Sequence, residues 1–329
     1  MDNRRLLQKI ARMYYGDELT QRDIAERLNV SMATVSRALS RAKQQGIVEI
    51  RIHGDEEGYG GLERAIENAY GLRECLVVPG ATQGAAPGTR GGGHVFGEMA
   101  KAVSELLPRL LRSGEYLGVS WGETLKAVAD KLSDSAESRV DVVPIIGAMG
   151  EIETGIYPNA IAGNFARKLG GSSYLVNAPA VLDTPETGRS IRRDGNFVRI
   201  LRLWKEITTV LVGVSGLGGE DSVSKYGILR PRELKTLREA GAVAAVNFTF
   251  IDASGSVLET ELDERMIKMD AEGMKAVPNV VGVAAGRRKA APLRAALSSG
   301  LLSVLVTDVD AATELVHSKT DGKAAGSHA

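Results

Sequence analysis

The sequence predicts an α/β protein of two parts: an N-terminal winged helix-turn-helix domain and a C-terminal Rossmann-like domain with a mostly parallel sheet. Two short amphipathic helices with a tight turn occupy residues 20–40, and apolar strand-like runs alternate with helix-like stretches after residue 62. A glycine-rich, acidic segment separates the two patterns. The predicted boundaries are 1–53 for the first domain, 54–61 for a linker, 62–316 for the second domain and 317–329 for a disordered tail, which is small, polar and aperiodic.

The helix-turn-helix pattern begins at Thr20, which can cap the first helix, with Asp23 three residues later completing a capping box. Asn29 can adopt the left-handed conformation that a short turn needs, and Ser31 can cap the second helix. An ordinary two-helix corner in a larger helical domain would seldom bring these features into register. The predicted buried positions are Ile24, Ala25, Leu28, Val30, Val35, Ala38 and Leu39.

The outward face of the second helix carries small polar groups and one guanidinium, which suits the major groove of DNA. A third helix is predicted over 4–15, and a period-two strand at 47–53, after Gly46, is predicted as a wing. Residues 1–53 carry ten Lys/Arg and six Asp/Glu, whereas the whole chain carries 41 of each, so positive charge is concentrated at this end. We therefore predict operator DNA as a partner, contacted by Thr20, Gln21, Ser31, Met32, Ala33, Thr34, Ser36 and Arg37.

In the second domain, continuous apolar runs separated by helical stretches predict a parallel sheet covered on both faces. In such sheets ligands bind at the carboxyl ends of the strands. Strands are predicted at 75–78, 117–120, 140–146, 173–176, 208–214, 242–251, 280–284 and 303–307, and helices at 95–112, 124–132, 159–169, 232–240, 291–298 and 308–316.

Four loops that follow predicted strands carry glycine, hydroxyl or cationic residues: 121–124, 147–150, 215–219 and 285–289. Backbone N–H groups at a helix start favour an anion, and three cations at residues 287–289 would oppose the helix dipole unless an anion lay there. Glycine after a strand is also ordinary turn chemistry, and the cations could form a solvated surface. Four such loops on one edge nevertheless favour a site for an anionic small molecule.

The composition excludes several classes of protein. Hydrophobic residues make up 43% and charged residues 25% of the 329 residues, no apolar run is long enough for a membrane span, and no signal peptide is recognisable. We expect a cytoplasmic protein that does not bind membranes. The single cysteine, Cys75, lies in a predicted strand and is expected to be a core residue. Neither metal-ligand spacing nor a G-x-G-x-x-G dinucleotide motif is present, so no metal or cofactor is predicted.

These residues resemble the SorC-type (sorbose-operon regulator) family of sugar-responsive transcriptional regulators over roughly residues 5–316. The resemblance implies a second domain of the ribose-phosphate isomerase and glucosamine-phosphate deaminase type, a phosphorylated-sugar effector and a homotetramer. A dimer is the smallest assembly expected, because one helix-turn-helix reads only a short half-site. The resemblance is carried by 14–21, the helix-turn-helix, Leu117-Gly118-Val119-Ser120-Trp121-Gly122-Glu123-Thr124-Leu125, Asn177-Ala178-Pro179-Ala180, 282–290, 295–297 and 306–308.

The family's phosphate and sugar contacts carry over to a limited set of positions. Two departures affect the choice of effector: Ala245 stands where the family often has an acidic sugar contact, and Arg287 and Arg288 replace a glycine-rich, polar stretch. A shorter, more anionic or differently shaped effector is implied. The predicted effector contacts are Ser120, Gly122, Glu123, Thr124 and Lys289, followed by Gly147, Pro179 and Gly216.

Three functions remain open at this point. The first is a regulator of a carbohydrate operon whose operator binding responds to a sugar phosphate. The second is a sugar-phosphate isomerase or deaminase that carries a DNA-binding module, for which Glu123 and Lys289 are the candidate acid and base. The third is a constitutive architectural DNA-binding protein, which would leave the loop edge unused. The first is favoured, and we expect no enzymatic activity.

Overall fold

A computed structural model describes residues 4–48, 58–80, 92–149 and 154–325 of the chain. The chain divides into two compact units, Met1–Gly58 and Tyr59–Ala329. Within the described ranges, no helix is long and apolar enough to cross a membrane.

The first unit is a three-helix domain. Its helices are α1 (Arg4–Tyr15), α2 (Gln21–Leu28) and α3 (Met32–Gln44). Thr20 and Asp23 form the predicted capping box, Asn29 adopts the left-handed conformation (φ 49°), and the Ser31 hydroxyl accepts the backbone N–H of Thr34 at 3.2 Å. Ile10, at 0% exposure, lies at the centre of the core. The other buried side chains of this core are Leu7, Ala11, Met13, Ile24, Ala25, Val35, Ala38, Leu39 and Ala42.

The predicted wing and linker fall largely outside the described residues. Ile47 and Val48 pack against the helical core without forming a strand, and the remainder of the predicted wing, 49–53, is not among the described residues. The same holds for 54–57 of the linker. A helix begins at Gly60, inside the segment predicted as linker, so the two glycines 60 and 61 are helical.

The second unit is built on a mixed sheet whose six main strands are parallel. Their spatial order is β1-β8-β7-β4-β2-β3, and β5 and β6 add an antiparallel hairpin beyond the end of β4. The strands are β1 (Glu74–Val78), β2 (Tyr116–Val119), β3 (Asp141–Pro144), β4 (Ile207–Ser215), β5 (Ala242–Val246), β6 (Thr249–Asp252), β7 (Asn279–Val283) and β8 (Val304–Asp308).

Helices cover both faces of this sheet, as the continuous apolar strands predict. Alternate residues of one strand supply the two cores: Val210 and Val212 of β4 point to one face and Leu211 to the other. Cys75 is buried in β1, as expected. The helices are α4 (Gly60–Tyr70), α5 (Gly92–Leu110), α6 (Glu123–Lys131), α7 (Pro158–Leu169), α8 (Pro185–Arg193), α9 (Gly195–Glu206), α10 (Ser222–Lys225), α11 (Pro231–Glu239), α12 (Glu261–Arg265), α13 (Ala271–Ala276), α14 (Ala290–Ser298) and α15 (Val309–Ala325).

Two predicted strands differ from the structure. The run 242–251 is a hairpin, because Asn247 and Phe248 both have positive φ (48° and 56°) and form a two-residue turn. The run 173–176 makes only an isolated bridge from Ser173 to Val142 of β3. There the Asn159 side chain bonds both the N–H and the C=O of Val176, which takes the place of ladder bonds.

The C-terminal prediction also requires correction. Disorder is predicted from His317, but α15 continues to Ala325, and only 326–329 lie outside the described residues. The first turns of α15 are packed through Ala311, Ala312 and Leu315, so each further residue extends an existing helix without a new nucleation cost. Aperiodic polar sequence is therefore compatible with helix here.

Candidate functional site

The strand order creates a crevice between β2 and β4. From β2 the chain continues outward to β3, whereas β4 leads to β7 and β8 on the other side. Where the connections from two neighbouring parallel strands run in opposite directions, a crevice that can hold a ligand forms at the carboxyl ends of those strands. A cleft of about 380 Å³ lies at this position, lined by the residues that follow β2, β4 and β7 and by the β5–β6 turn.

Five of the predicted effector residues line the cleft. Ser120, Gly122, Glu123 and Thr124 come from the loop after β2, and Lys289 comes from the loop after β7. Gly122 has φ 113°, a conformation that disfavours other residues, and it directs the chain into the start of α6. The first backbone N–H groups of α6 and the Thr124 hydroxyl are therefore available beside the cleft.

Lys289 forms an ion pair across the cleft with Asp221, which the sequence analysis did not identify. The Lys289 Nζ lies 2.7 Å from Asp221 Oδ1, and the two side chains are only 24% and 18% exposed. The Gly218 N–H donates to the other carboxylate oxygen at 3.0 Å. Burial alone would raise the pKa of Asp221, but the lysine and the backbone N–H groups of Gly218 and Gly216 outweigh burial and hold the pKa below its ordinary value of 3.8.

Glu123, at the start of α6, is also engaged by the segment after β4. Its Oε1 accepts hydrogen bonds from Lys225 Nζ, at 2.7 Å, and from the Tyr226 hydroxyl. These bonds, that of Lys225 first, hold the pKa of Glu123 below its ordinary value of 4.5. The carboxylate is thus already paired. Since Lys289 is paired as well, neither candidate for acid–base catalysis is a free group.

The β5–β6 turn forms another wall of the cleft. Asn247 is buried, accepts a hydrogen bond from the Ser120 hydroxyl at 2.7 Å and donates to backbone carbonyls of Ile145 and Met269. Phe248 stacks on Trp121, with ring centroids 5.4 Å apart and planes 14° from parallel. Both turn residues line the cleft and were missed in the sequence because they lie in an apolar run. The sequence signal that could have revealed this turn is an asparagine at the first position of a two-residue connection between two β-type runs.

The structure does not bring Gly147, Pro179 or Gly216 to the cleft surface. A side chain at Gly147 would meet the backbone of 178–180, since an added Cβ would lie 2.5 Å from the Ala178 carbonyl oxygen. Ala148 and Pro179 form an isolated bridge there, at the outermost strand, away from the β2–β4 crevice. Gly216 lies behind Asp221, whose carboxylate would be 2.6 Å from an added Cβ. These glycines allow close packing.

The three consecutive cations have different surroundings. Arg287 is 74% exposed and pairs with Glu314 of α15 at 3.0 Å, and Arg288 is exposed at the rim of the cleft. The loop that carries them is fixed by Asp308, whose buried carboxylate accepts the Gly286 N–H at 2.9 Å. Burial raises the pKa of Asp308 above its ordinary value despite the backbone N–H groups that it accepts. Ala245, the departure noted above, also lines the cleft and is buried.

In the first unit, the predicted DNA contacts divide into two groups. Thr20 and Ser31 act as helix caps, and Thr34 shares a hydrogen bond with Ser31. Gln21 begins α2. The residues Met32, Ala33, Ser36 and Arg37 are exposed on the first turns of α3, and Met32 is 55% exposed. This exposed face is the one that the sequence predicts to contact the major groove of DNA.

The described ranges contain no group of three or more His, Cys, Asp or Glu side chains that could hold a metal ion.

Comparisons with known proteins agree with this architecture. Residues 57–317 match the family described as "Putative sugar-binding domain", and residues 8–45 match the family described as "Sigma-70, region 4". The chain is 28% identical to the sorbitol operon regulator of Klebsiella pneumoniae over 96% of this chain and 98% of that protein. It is 28% identical to the deoxyribonucleoside regulator of Bacillus subtilis over 93% and 96% of the two chains.

A solved structure gives the same result for the fold. The full-length sorbitol operon regulator from Klebsiella pneumoniae aligns with a TM-score of 0.72 and 28% identity, covering 96% of this chain and all of that one. The shared architecture therefore includes both the helix-turn-helix unit and the sheet domain.

Proposed function

This chain belongs to the sugar-binding family that includes the SorC-type regulators, and from this membership we propose that it is a DNA-binding transcriptional regulator of a carbohydrate operon. A phosphorylated sugar bound in the cleft between β2 and β4 modulates its affinity for operator DNA. The observation that carries the proposal is a partly buried ammonium, Lys289, in a cleft beside the start of α6.

The chemistry of the cleft suits a phosphate group. Backbone N–H groups at a helix start attract anions, the Thr124 hydroxyl can donate to a phosphate oxygen, and the ammonium of Lys289 adds a compact positive charge. A polyol chain extending from that phosphate would meet Ser120 and Asn247, whose polar groups lie at the floor of the cleft. A phosphorylated sugar combines these two requirements.

The DNA-binding role rests on the first unit. The exposed face of α3 presents Met32, Ala33, Ser36 and Arg37, while the caps fix the helix ends. Since one recognition helix covers a short half-site, the proposal includes a dimer or tetramer with twofold symmetry. A regulator of this kind acts where bacterial DNA lies, in the cytoplasm.

An enzymatic role has less support. The similar proteins named above are operon regulators, and both candidate catalytic groups are already ion-paired. A constitutive architectural protein would have no use for the polar cleft.

The test is an operator shift assay with the purified protein, with and without hexitol, hexose and deoxypentose phosphates and their unphosphorylated counterparts. These classes follow from the names of the relatives, a sorbitol and a deoxyribonucleoside regulator. We expect at least one phosphate to change operator affinity while its neutral counterpart does not, and no turnover in the same samples. A response to the neutral sugar alone, or steady turnover of the phosphate, would contradict the proposal.

A further inference from the structure

The segment Gly216 to Gly227, which we call the strap, connects β4 to the chain before α11. It contributes Glu220, Asp221, Ser222 and Val223 to the cleft wall. Its side chains bond both of the ionisable residues that the sequence analysis assigned to the effector: Asp221 bonds Lys289, and Lys225 and Tyr226 bond Glu123. The strap therefore joins the loop after β2 to the loop after β7 by charged contacts.

The Asp221 carboxylate is held by donors of the kind that would hold a phosphate. One oxygen accepts from the Lys289 ammonium at 2.7 Å, and the other accepts a backbone N–H from Gly218 at 3.0 Å. Gly216 leaves room for this arrangement, because a Cβ there would lie 2.6 Å from the carboxylate oxygen. The Asp221 carboxylate thus already pairs with the Lys289 ammonium, the group that we propose binds the effector's phosphate.

Two anions cannot both make full use of one partly buried ammonium, because they repel each other at the distances that such pairing imposes. We propose, on the basis of the function proposed above, that Asp221 is an internal competitor for the effector's phosphate and that binding exchanges this carboxylate for the phosphate on Lys289. The exchange frees the Asp221 end of the strap. Its other end stays attached to Glu123 through Lys225 and Tyr226.

This arrangement explains selectivity for phosphorylated ligands. A neutral sugar offers no charge to replace Asp221 on Lys289, whereas a phosphate carries close to two negative charges at neutral pH. It also identifies the element whose position differs between the free and bound states. A ligand alters DNA affinity only through such a difference between states.

The test uses the full chain and inorganic phosphate as the probe, with affinity measured by calorimetry. Asp221→Asn should bind phosphate about tenfold more tightly than the wild type, a change of about 1.4 kcal/mol. Asp221→Glu, which retains the competing charge, should remain within about threefold of the wild type. The matched control is Glu220→Gln, which removes the same charge one residue earlier. Glu220 lines the same cleft, is exposed and makes no ion pair within the part of the chain that the structure describes, so its removal tests the loss of cleft charge without the contact to Lys289.

A second measurement follows the strap itself. Amide hydrogen exchange of residues 217–227 should accelerate when phosphate is added to the wild type, and it should already be fast in Asp221→Asn without phosphate. A role of Asp221 in local structure alone would accelerate exchange in the variant but leave its phosphate affinity unchanged or lower.

The outcomes separate this inference from the proposed function. If the wild type binds phosphate through Lys289 but Asp221→Asn binds it no more tightly, the competition is overturned and the phosphate site stands. If Glu220→Gln tightens binding as much as Asp221→Asn, general electrostatics explains the effect and the inference also fails. If neither the wild type nor Asp221→Asn binds phosphate in a way that requires Lys289, both the inference and the proposed function are overturned.

Discussion

Replacing Lys289 with alanine should abolish the response to a sugar phosphate while operator binding without effector is retained. The Lys289 side chain is 24% exposed, so a phosphate there would form a charge-assisted hydrogen bond in a partly desolvated site. Such bonds contribute about 1.5–3 kcal/mol, which corresponds to a loss of about 10-fold to 150-fold in affinity. The variant also leaves the Asp221 carboxylate in the cleft without its cation, so its negative charge repels the phosphate. We therefore expect a loss near the upper end of this range.

The assay combines calorimetry with the sugar phosphate that is active in the operator shift and gel shifts with the same ligand. The matched control is Arg109→Ala, which removes an equal charge from α5; the Arg109 side chain is 57% exposed, pairs with Glu74 and does not line the cleft. Its effect on affinity should stay below about threefold, as expected for a solvent-screened charge. The reasoning is refuted if Lys289→Ala binds the phosphate within threefold of the wild type, or if the unphosphorylated sugar binds the wild type equally well.

Four further outcomes can be measured. Arg37→Ala should weaken binding to a matched operator by about 1–3 kcal/mol but leave effector binding and the melting temperature unchanged. Equal affinity of the wild type for matched and scrambled operators would contradict this prediction. Asp308→Ala should lower the free energy of unfolding by about 2–4 kcal/mol in denaturant titrations, because the partly buried N–H of Gly286 and the buried N–H of Ala311 lose their acceptor. Because its pKa is lowered, Asp221 contributes stability above about pH 4 that is lost only as the pH falls through its folded pKa. A change in affinity for the sugar phosphate between about pH 5 and 7, measured by calorimetry, should therefore follow the second ionisation of the phosphate monoester, at about pH 6. Light scattering at micromolar concentration should give two or four chains, and a 35 kDa monomer that binds its operator tightly would exclude the proposed assembly.

Local sequence was sufficient where short-range interactions determine structure. The caps at Thr20 and Ser31 and the left-handed Asn29 depend on contacts within a few residues, and they are as predicted. Most of the predicted buried positions of α2 and α3 are also buried, whereas Leu28 is only partly buried. The same holds for most strands of the sheet, since a continuous apolar run between helical stretches specifies a buried strand. The glycine and hydroxyl pattern at 120–124 likewise located one wall of the cleft.

Long-range pairing determined the remainder. Asp221 and Lys289 are 68 residues apart in the chain, and Ser120 and Asn247 are 127 apart, so no local pattern indicates that they meet. Their contact depends on the order β7-β4-β2, in which strands that are distant in sequence become neighbours. The turn at Asn247 escaped prediction for the same reason. Its buried amide is satisfied by carbonyls from two other segments, which only the folded chain brings within reach.

The sequence by itself determined the two-part architecture, the recognition helix, the parallel sheet and the edge of the sheet that carries polar loops, because periodicity, capping and turn chemistry are properties of neighbouring residues. Only the tertiary structure decided which of those loops share a cleft. The loop at Gly147 follows the outermost strand and packs against 178–180, whereas the loops after β2, β4 and β7 adjoin the point where the connections diverge. Strand order is fixed by the burial of the whole sheet between its helices, and that order, rather than any local motif, pairs Lys289 with Asp221.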